Sequence, residues 1–145
     1  MIQSFERLIE HIEREFSLCI LLMDILRRER TVIASLDAAA FDLLVREKET
    51  VLSRISDCES GRVRLAQSCG LGDKTLSEIA DVAEGGAGAR LADISSRFRS
   101  LLSEISEQID INKAIIDSSL YHMKKSSQFL GSLDVKAPQK VSREA

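Results

Sequence analysis

Apolar residues in the first part of the chain recur at alternating steps of three and four: Ile2, Phe5, Ile9, Ile12, Phe16, Cys19, Met23, Leu26 and Ile33, with Arg30 the polar exception. That spacing draws a seam along one face of an α-helix and predicts a first helix of about 34 residues packed against a neighbour. "SLDAAAF" interrupts the rhythm, and Asp37 is placed to cap a second helix, because its short carboxylate accepts from unpaired first-turn N–H groups. The series resumes at Phe41, Leu44, Lys48, Val51, Ile55, Cys58, Arg62, Leu65 and Cys69. Lys48 and Arg62 stand on this seam, and their stems are expected to lie along it while their charges reach water. "SCGLGD" ends the helix, with Gly70 suited to positive φ and Asp73 to capping a short third helix that holds Leu76, Ile79 and Ala80.

"EGGAGAR", with three glycines, reads as a flexible joint and the one clear linker. A last stripe follows through Leu91, Ile94, Phe98, Leu102, Ile105, Ile109, Asn112, Ile116, Leu120, Met123, Ser127 and Leu130, predicting a helix from about Ala89 to Leu133. At about 1.5 Å per residue such a helix is roughly 65 Å long. It exceeds the first two, so its end is expected to project beyond the hairpin they form. The fold class that results is all-α: an elongated antiparallel helical bundle of three long helices plus one short helix over residues 1–133, with a flexible tail over 134–145.

The 145 residues fit one domain, and 44% hydrophobic beside 30% charged residues suits a strongly patterned helical chain. One Pro, one Tyr and no Trp leave little material for a sheet. A net charge of −3 with both signs interspersed gives no broad basic footprint, so nucleic acid is not the expected partner. The end of the chain is locally basic, with Lys124, Lys125, Lys136, Lys140 and Arg143 against Asp134 and Glu144, and reads as a solvated terminus. The N-terminal segment lacks a basic stretch followed by an apolar run, and no later run approaches the roughly 18 apolar residues that span a bilayer. A cytoplasmic protein without membrane insertion is expected. Cys19, Cys58 and Cys69 form no Cys-x-x-Cys pair and have no ligand-like spacing to His11 or His122, so they read as reduced, mostly buried thiols.

Candidate chemistry is sparse. No Glu-x-x-His pair is present for a carboxylate-bridged metal bundle. Arg7 and Glu15 lie four residues either side of His11, a pattern that suits exposed ion pairing. "EGGAGAR" lacks the G-x-x-x-x-G-K-[ST] of a phosphate loop, and no strand precedes it. No enzyme, cofactor or metal is expected on these grounds. "HMKKSSQFLG", beginning at His122, resembles the histidine-phosphotransfer domains, in which a Lys one helical turn on, here Lys125, would stabilise a phosphorylated histidine. The chain departs from that pattern at Ser126, where the family has Gly. A phosphotransfer domain using His122 and a structural coiled-coil adaptor are the alternative functions.

"LDAAAFDLLVREKETVLSRISDCESGRVRL" and "NKAIIDSSL" carry a resemblance that covers nearly the whole chain. The first is similar to the second helix of the FlgN-type flagellar export chaperones, with the Leu36-Asp37 turn, Lys48, Leu52, Ile55, Glu59, Arg62 and Leu65 in order. The second resembles that family's recurrent Asn followed by an apolar pair and a further Leu, here Asn112, Ile115, Ile116 and Leu120. The resemblance implies a non-enzymatic cytosolic chaperone. It would bind the C-terminal helical segments of hook-filament junction (hook-associated) proteins, prevent their premature assembly, and hold them for type III export, with the export apparatus as a further partner. Members often end in a tail carrying Tyr-Gly, which "DVKAPQKVSREA" lacks. Ile115, Leu120, Met123, Phe129, Leu130 and Leu133 offer more apolar surface than an overhanging helix can bury, and they are the candidate partner-binding residues. Completion of the bundle core, or a homodimer seam, are the other uses open to them. Asn112 is expected to set the register of the seam, and His122 to be exposed or locally satisfied.

Overall fold

The protein is described by a computed structural model covering residues 2–83 and 85–132, with side chains from residue 5 onward. It contains four helices, α1 (Ile2–Ser35), α2 (Ala38–Ser68), α3 (Leu76–Val82) and α4 (Gly86–Ser132). α1 and α2 form an antiparallel hairpin. α4 returns antiparallel to α2 and parallel to α1, as its pairings with α1 show: Arg90 with Glu6, Phe98 with Phe16, and Asn112 with Leu26. The three long helices thus run up, down and up, with α1 touching both others and α3 lying against α4.

The hairpin turn follows from local chemistry. The Asp37 carboxylate accepts from the Ala40 N–H at 3.0 Å, as a cap requires. Leu36 completes the turn with φ of 57°, a left-handed conformation in which a non-glycine side chain is crowded. At the other end of α2, Gly70 takes φ of 74°. The Leu71 N–H reaches back to Ala66 O at 2.8 Å and the Gly70 N–H to Gln67 O at 3.0 Å, the paired bonds of a Schellman stop.

α3 is capped by Thr75, two residues beyond the expected Asp73. Its hydroxyl accepts from the Glu78 N–H, and the Glu78 carboxylate accepts from the Thr75 N–H. The expected glycine joint is mostly helix: α4 begins at Gly86. The reason is close packing between α3 and α4. A Cβ on Gly88 would stand 2.8 Å from Ala83 O and 3.1 Å from Ala80 O, so glycine is needed for contact there rather than for flexibility.

The core is a single apolar cluster running along α1, in which Leu8, Ile9, Ile12, Ile25 and Leu26 are almost wholly buried and meet Leu44 and Val51 of α2 and Leu91, Phe98 and Ile105 of α4. Phe16 and Phe98 pack edge to face with centroids 5.6 Å apart, and the Arg97 guanidinium lies 5.1 Å over the Phe16 ring. Cys19 is buried in this cluster, and burial together with the nearby Glu15 and Cys58 pushes its thiol up to about 11.

Two polar layers cross the seam, and both correct expectations from the pattern. Arg62 does not send its charge to water; its Nε donates to the buried Glu15 carboxylate at 2.8 Å. Lys48 likewise donates from Nζ to the buried Glu29 at 3.1 Å. Glu15 is therefore not an exposed partner of His11, which is half-buried with its Nδ1 enclosed and unpartnered. Asn112, only 2% exposed, donates to Leu26 O at 2.8 Å and Glu29 Oε1 at 3.0 Å, and accepts from Gln108 Nε2 at 2.9 Å. Asn112 thereby joins α4 to α1, and Glu29 passes the link to Lys48 of α2.

Candidate partner-binding surface

Asn112 marks where α4 is last gripped firmly. Ile115 and Ile116 beyond it are half-buried, and Ser119 is the last residue with any substantial cover. From Leu120 to Ser132 every residue is exposed, because the α1–α2 hairpin turns back at Leu36 and Asp37 and offers nothing further to pack against. Leu120, Met123 and Phe129 are 59%, 58% and 62% exposed, and Leu130 and Tyr121 are also largely open. The last candidate, Leu133, and the tail over 134–145 lie outside the described residues.

The candidates do not share one face. At about 100° per residue, Leu120, Met123 and Leu130 continue the stripe that Asn112 and Ile116 begin, the side of α4 turned toward α1. Phe129 lies roughly 100° to 180° round the helix from these three, and Ile115 falls within about 40° of Phe129. Ile111, 40% exposed, belongs to that second patch. A single flat partner helix meets one group or the other.

The first group has a wall that sequence reasoning missed. Where α4 passes the hairpin turn, Val32, Ile33 and Leu36 of the α1 end and Phe41 of α2 face Ile116, Leu120 and Met123 across an open apolar cup of about 440 Å³. Leu36 is 71% exposed, so a large apolar side chain is held in water on a strained turn. Its position between two predicted helices is a signal that the sequence carries, since a turn residue in this conformation is ordinarily Gly or Asn.

Charge on the projecting segment is one-sided. Lys124 and Lys125 are its charged residues between Ser118 and Ser132, with no acid among them. The Lys125 ammonium sits 5.6 Å over the Tyr121 ring, and that ring packs edge to face on His122 at 5.8 Å. Lys125 is therefore engaged with the neighbouring aromatic, and His122 stands on the open end of the helix. Among the described residues, no group of three or more His, Cys, Asp and Glu is placed to hold a metal ion. No helix among them is long and apolar enough to cross a membrane.

The chain is 29% identical over 97 residues to the serine–tRNA ligase of Thiobacillus denitrificans, a match covering 59% of this chain and 22% of the ligase. The chain thus spans under a quarter of that relative's length. No solved structure matches it. A family model described as FlgN protein matches residues 1–138, nearly the full length, in agreement with the resemblance carried by residues 36–65 and 112–120. The chain belongs to the FlgN family of flagellar export chaperones.

Proposed function

We propose that this chaperone holds the C-terminal helical segments of hook-filament junction proteins in the cytosol, masking the surface by which they assemble until they are exported, with the export apparatus as a second partner. The observation that supports this is the unpartnered apolar end of α4, where Leu120, Met123 and Leu130 lie exposed on one side. A subunit that polymerises outside the cell must have its terminal amphipathic helix covered inside it, and an apolar face in a groove does so without nucleotide chemistry. Met123 adds an adaptable contact suited to more than one client.

Magnitudes limit what the overhang does alone. Three anchors at about 2 kcal/mol each supply roughly 6 kcal/mol. Ordering a disordered client costs about 2 to 5 kcal/mol. The remainder corresponds to millimolar binding or weaker. Leu36 and Phe41 in the cup are where further affinity is available to a helix on the first group.

The test is calorimetric titration of the full chain with a C-terminal peptide from a junction protein of the same bacterium. Saturable binding by the native chain, lost in Leu120→Asp/Leu130→Asp with far-UV helicity retained, is the expected result. Loss of helicity in that variant would place these residues in a core or homodimer seam instead. No binding by a folded, monodisperse native chain would refute the proposal.

A further inference from the structure

α1, α2 and α4 occupy three corners of a bundle, and among the described residues α2 and α4 make no close backbone contact with each other. Among the described residues, the fourth corner, over the gap between them, is approached at one end only, by α3. There Leu76 of α3 lines an open cavity of about 550 Å³ together with Ile55 of α2, Leu102 of α4 and Cys19 of α1. α3 is seven residues long, and no other helix of the described residues continues its line past Thr75.

The walls of that stretch are straight and largely apolar, with Lys113 the charged residue on the α4 edge between Ile109 and Leu120. On α4, Leu102, Ile109 and Leu120 stand seven and eleven residues apart, which keeps them within about 20° of one another around the helix. On α2, Leu52 and Phe41 are eleven residues apart and share an edge in the same way. Leu52 and Ile109 are 43% and 47% exposed, and Phe41 and Leu120 line the cup at the far end. Two parallel apolar edges of this length match the side of an α-helix, and α3 already occupies the same line. Beyond the cup the charges are Lys124 and Lys125, which favour acidic residues on whatever lies there.

From this geometry we infer that the gap between α2 and α4 is the seat of one amphipathic partner helix, which completes a four-helix bundle in line with α3 and places acidic residues near Lys124. The inference rests on the client-binding function proposed above and locates the client along the body of the chaperone as well as on its projecting end. Leu52 and Ile109 become anchors far from the overhang.

The test titrates the same junction-protein peptide into the full chain and into Leu52→Asp, Ile109→Asp, Lys124→Glu and Leu43→Asp, with far-UV circular dichroism as the folding check. Leu43 is exposed and half a turn round α2 from Leu52, so it serves as the control. The expected result is at least a tenfold loss of affinity at Leu52, Ile109 and Lys124 and none at Leu43. A photo-crosslinking residue in place of Leu52 should capture the peptide, and one in place of Leu43 should not, which decides the matter even if an Asp variant unfolds. Binding that is lost in Leu130→Asp but unchanged by Leu52→Asp and Ile109→Asp would keep the client function and overturn the groove. A crosslink from position 52 to a second copy of the chain would also overturn it. No binding by the native chain would refute the client function itself.

Discussion

Replacing Asn112 and Glu29, singly and together, tests whether the buried polar layer acts as a unit. Asn112→Ala removes two donated bonds, one to a backbone carbonyl and one to the Glu29 carboxylate, and strands the buried Gln108 amide that donates to it. A neutral bond is worth about 1 kcal/mol and one to a charged group about 1.5 to 3. The expected loss is therefore about 3 kcal/mol, near 10 °C in Tm for a domain of this size. Glu29→Leu removes the charge, frees Lys48 to reach water, and leaves one Asn112 donor unpaired, for about 2 kcal/mol. Asn112→Ala/Glu29→Leu leaves neither a buried charge nor an unpaired partner between these two positions. Its loss should fall well below the sum of the single variants, with a coupling of about 2 kcal/mol. Urea unfolding followed by far-UV circular dichroism reads each value, provided the slope m is unchanged. Single losses that add to within about 0.5 kcal/mol would refute the coupled layer.

Other expectations follow from particular contacts. Gly88→Ala puts a methyl group against two backbone carbonyls and should cost about 1 to 3 kcal/mol, read as a lower urea midpoint, because neither carbonyl is a flexible tip. Leu36→Asn relieves the left-handed turn and should raise stability by up to about 1 kcal/mol while weakening peptide binding, since it removes one wall of the cup. Cys19, with its thiol pushed up to about 11, stays protonated at pH 8 and becomes a thiolate only as pH climbs toward that value. Iodoacetamide should therefore label the half-buried Cys58 and Cys69 first, with a third adduct appearing by mass spectrometry only in urea.

The long helices were legible because three-four rhythm sustained over thirty or more residues has no strand or loop interpretation, and the Asp37 cap because a lone acid stood at the break. The start of α4 was not. Glycines in "EGGAGAR" have the composition of a linker, and only the approach of Ala80 and Ala83 shows that Gly88 is there for contact. Thr75 was legible in principle, since Thr-x-x-Glu is the capping-box pattern, but Asp73 stood nearer the preceding glycine and drew the assignment. The partner candidates were found by counting apolar residues on a projecting helix. That count ignores angle, and so it combined Phe129 and Ile115 with a stripe they do not share. Leu36 was missed because periodicity is read along helices and a turn residue belongs to neither.

Lys48 and Arg62 show most clearly what the pattern contains but does not announce. They are fourteen residues apart on α2, and their partners Glu29 and Glu15 are fourteen apart on α1. Because the helices are antiparallel, one register satisfies both pairs. A slip of one heptad would set Glu29 against Phe41 or Ile55, and Glu15 against Ile55 or Cys69, burying carboxylates without partners. Apolar residues alone would tolerate that slip, since the three-four rhythm repeats every seven. Asn112 applies the same logic to α4: a heptad slip would present Ile105 or Ser119 to Glu29, and neither can donate the bond to it that Asn112 does while also holding Leu26 O. Register bears on the proposed binding surface because it decides where the hairpin ends along α4. The polar layers therefore set the length of the projecting segment, and with it the alignment of Leu120 across from Phe41 on which the cup depends.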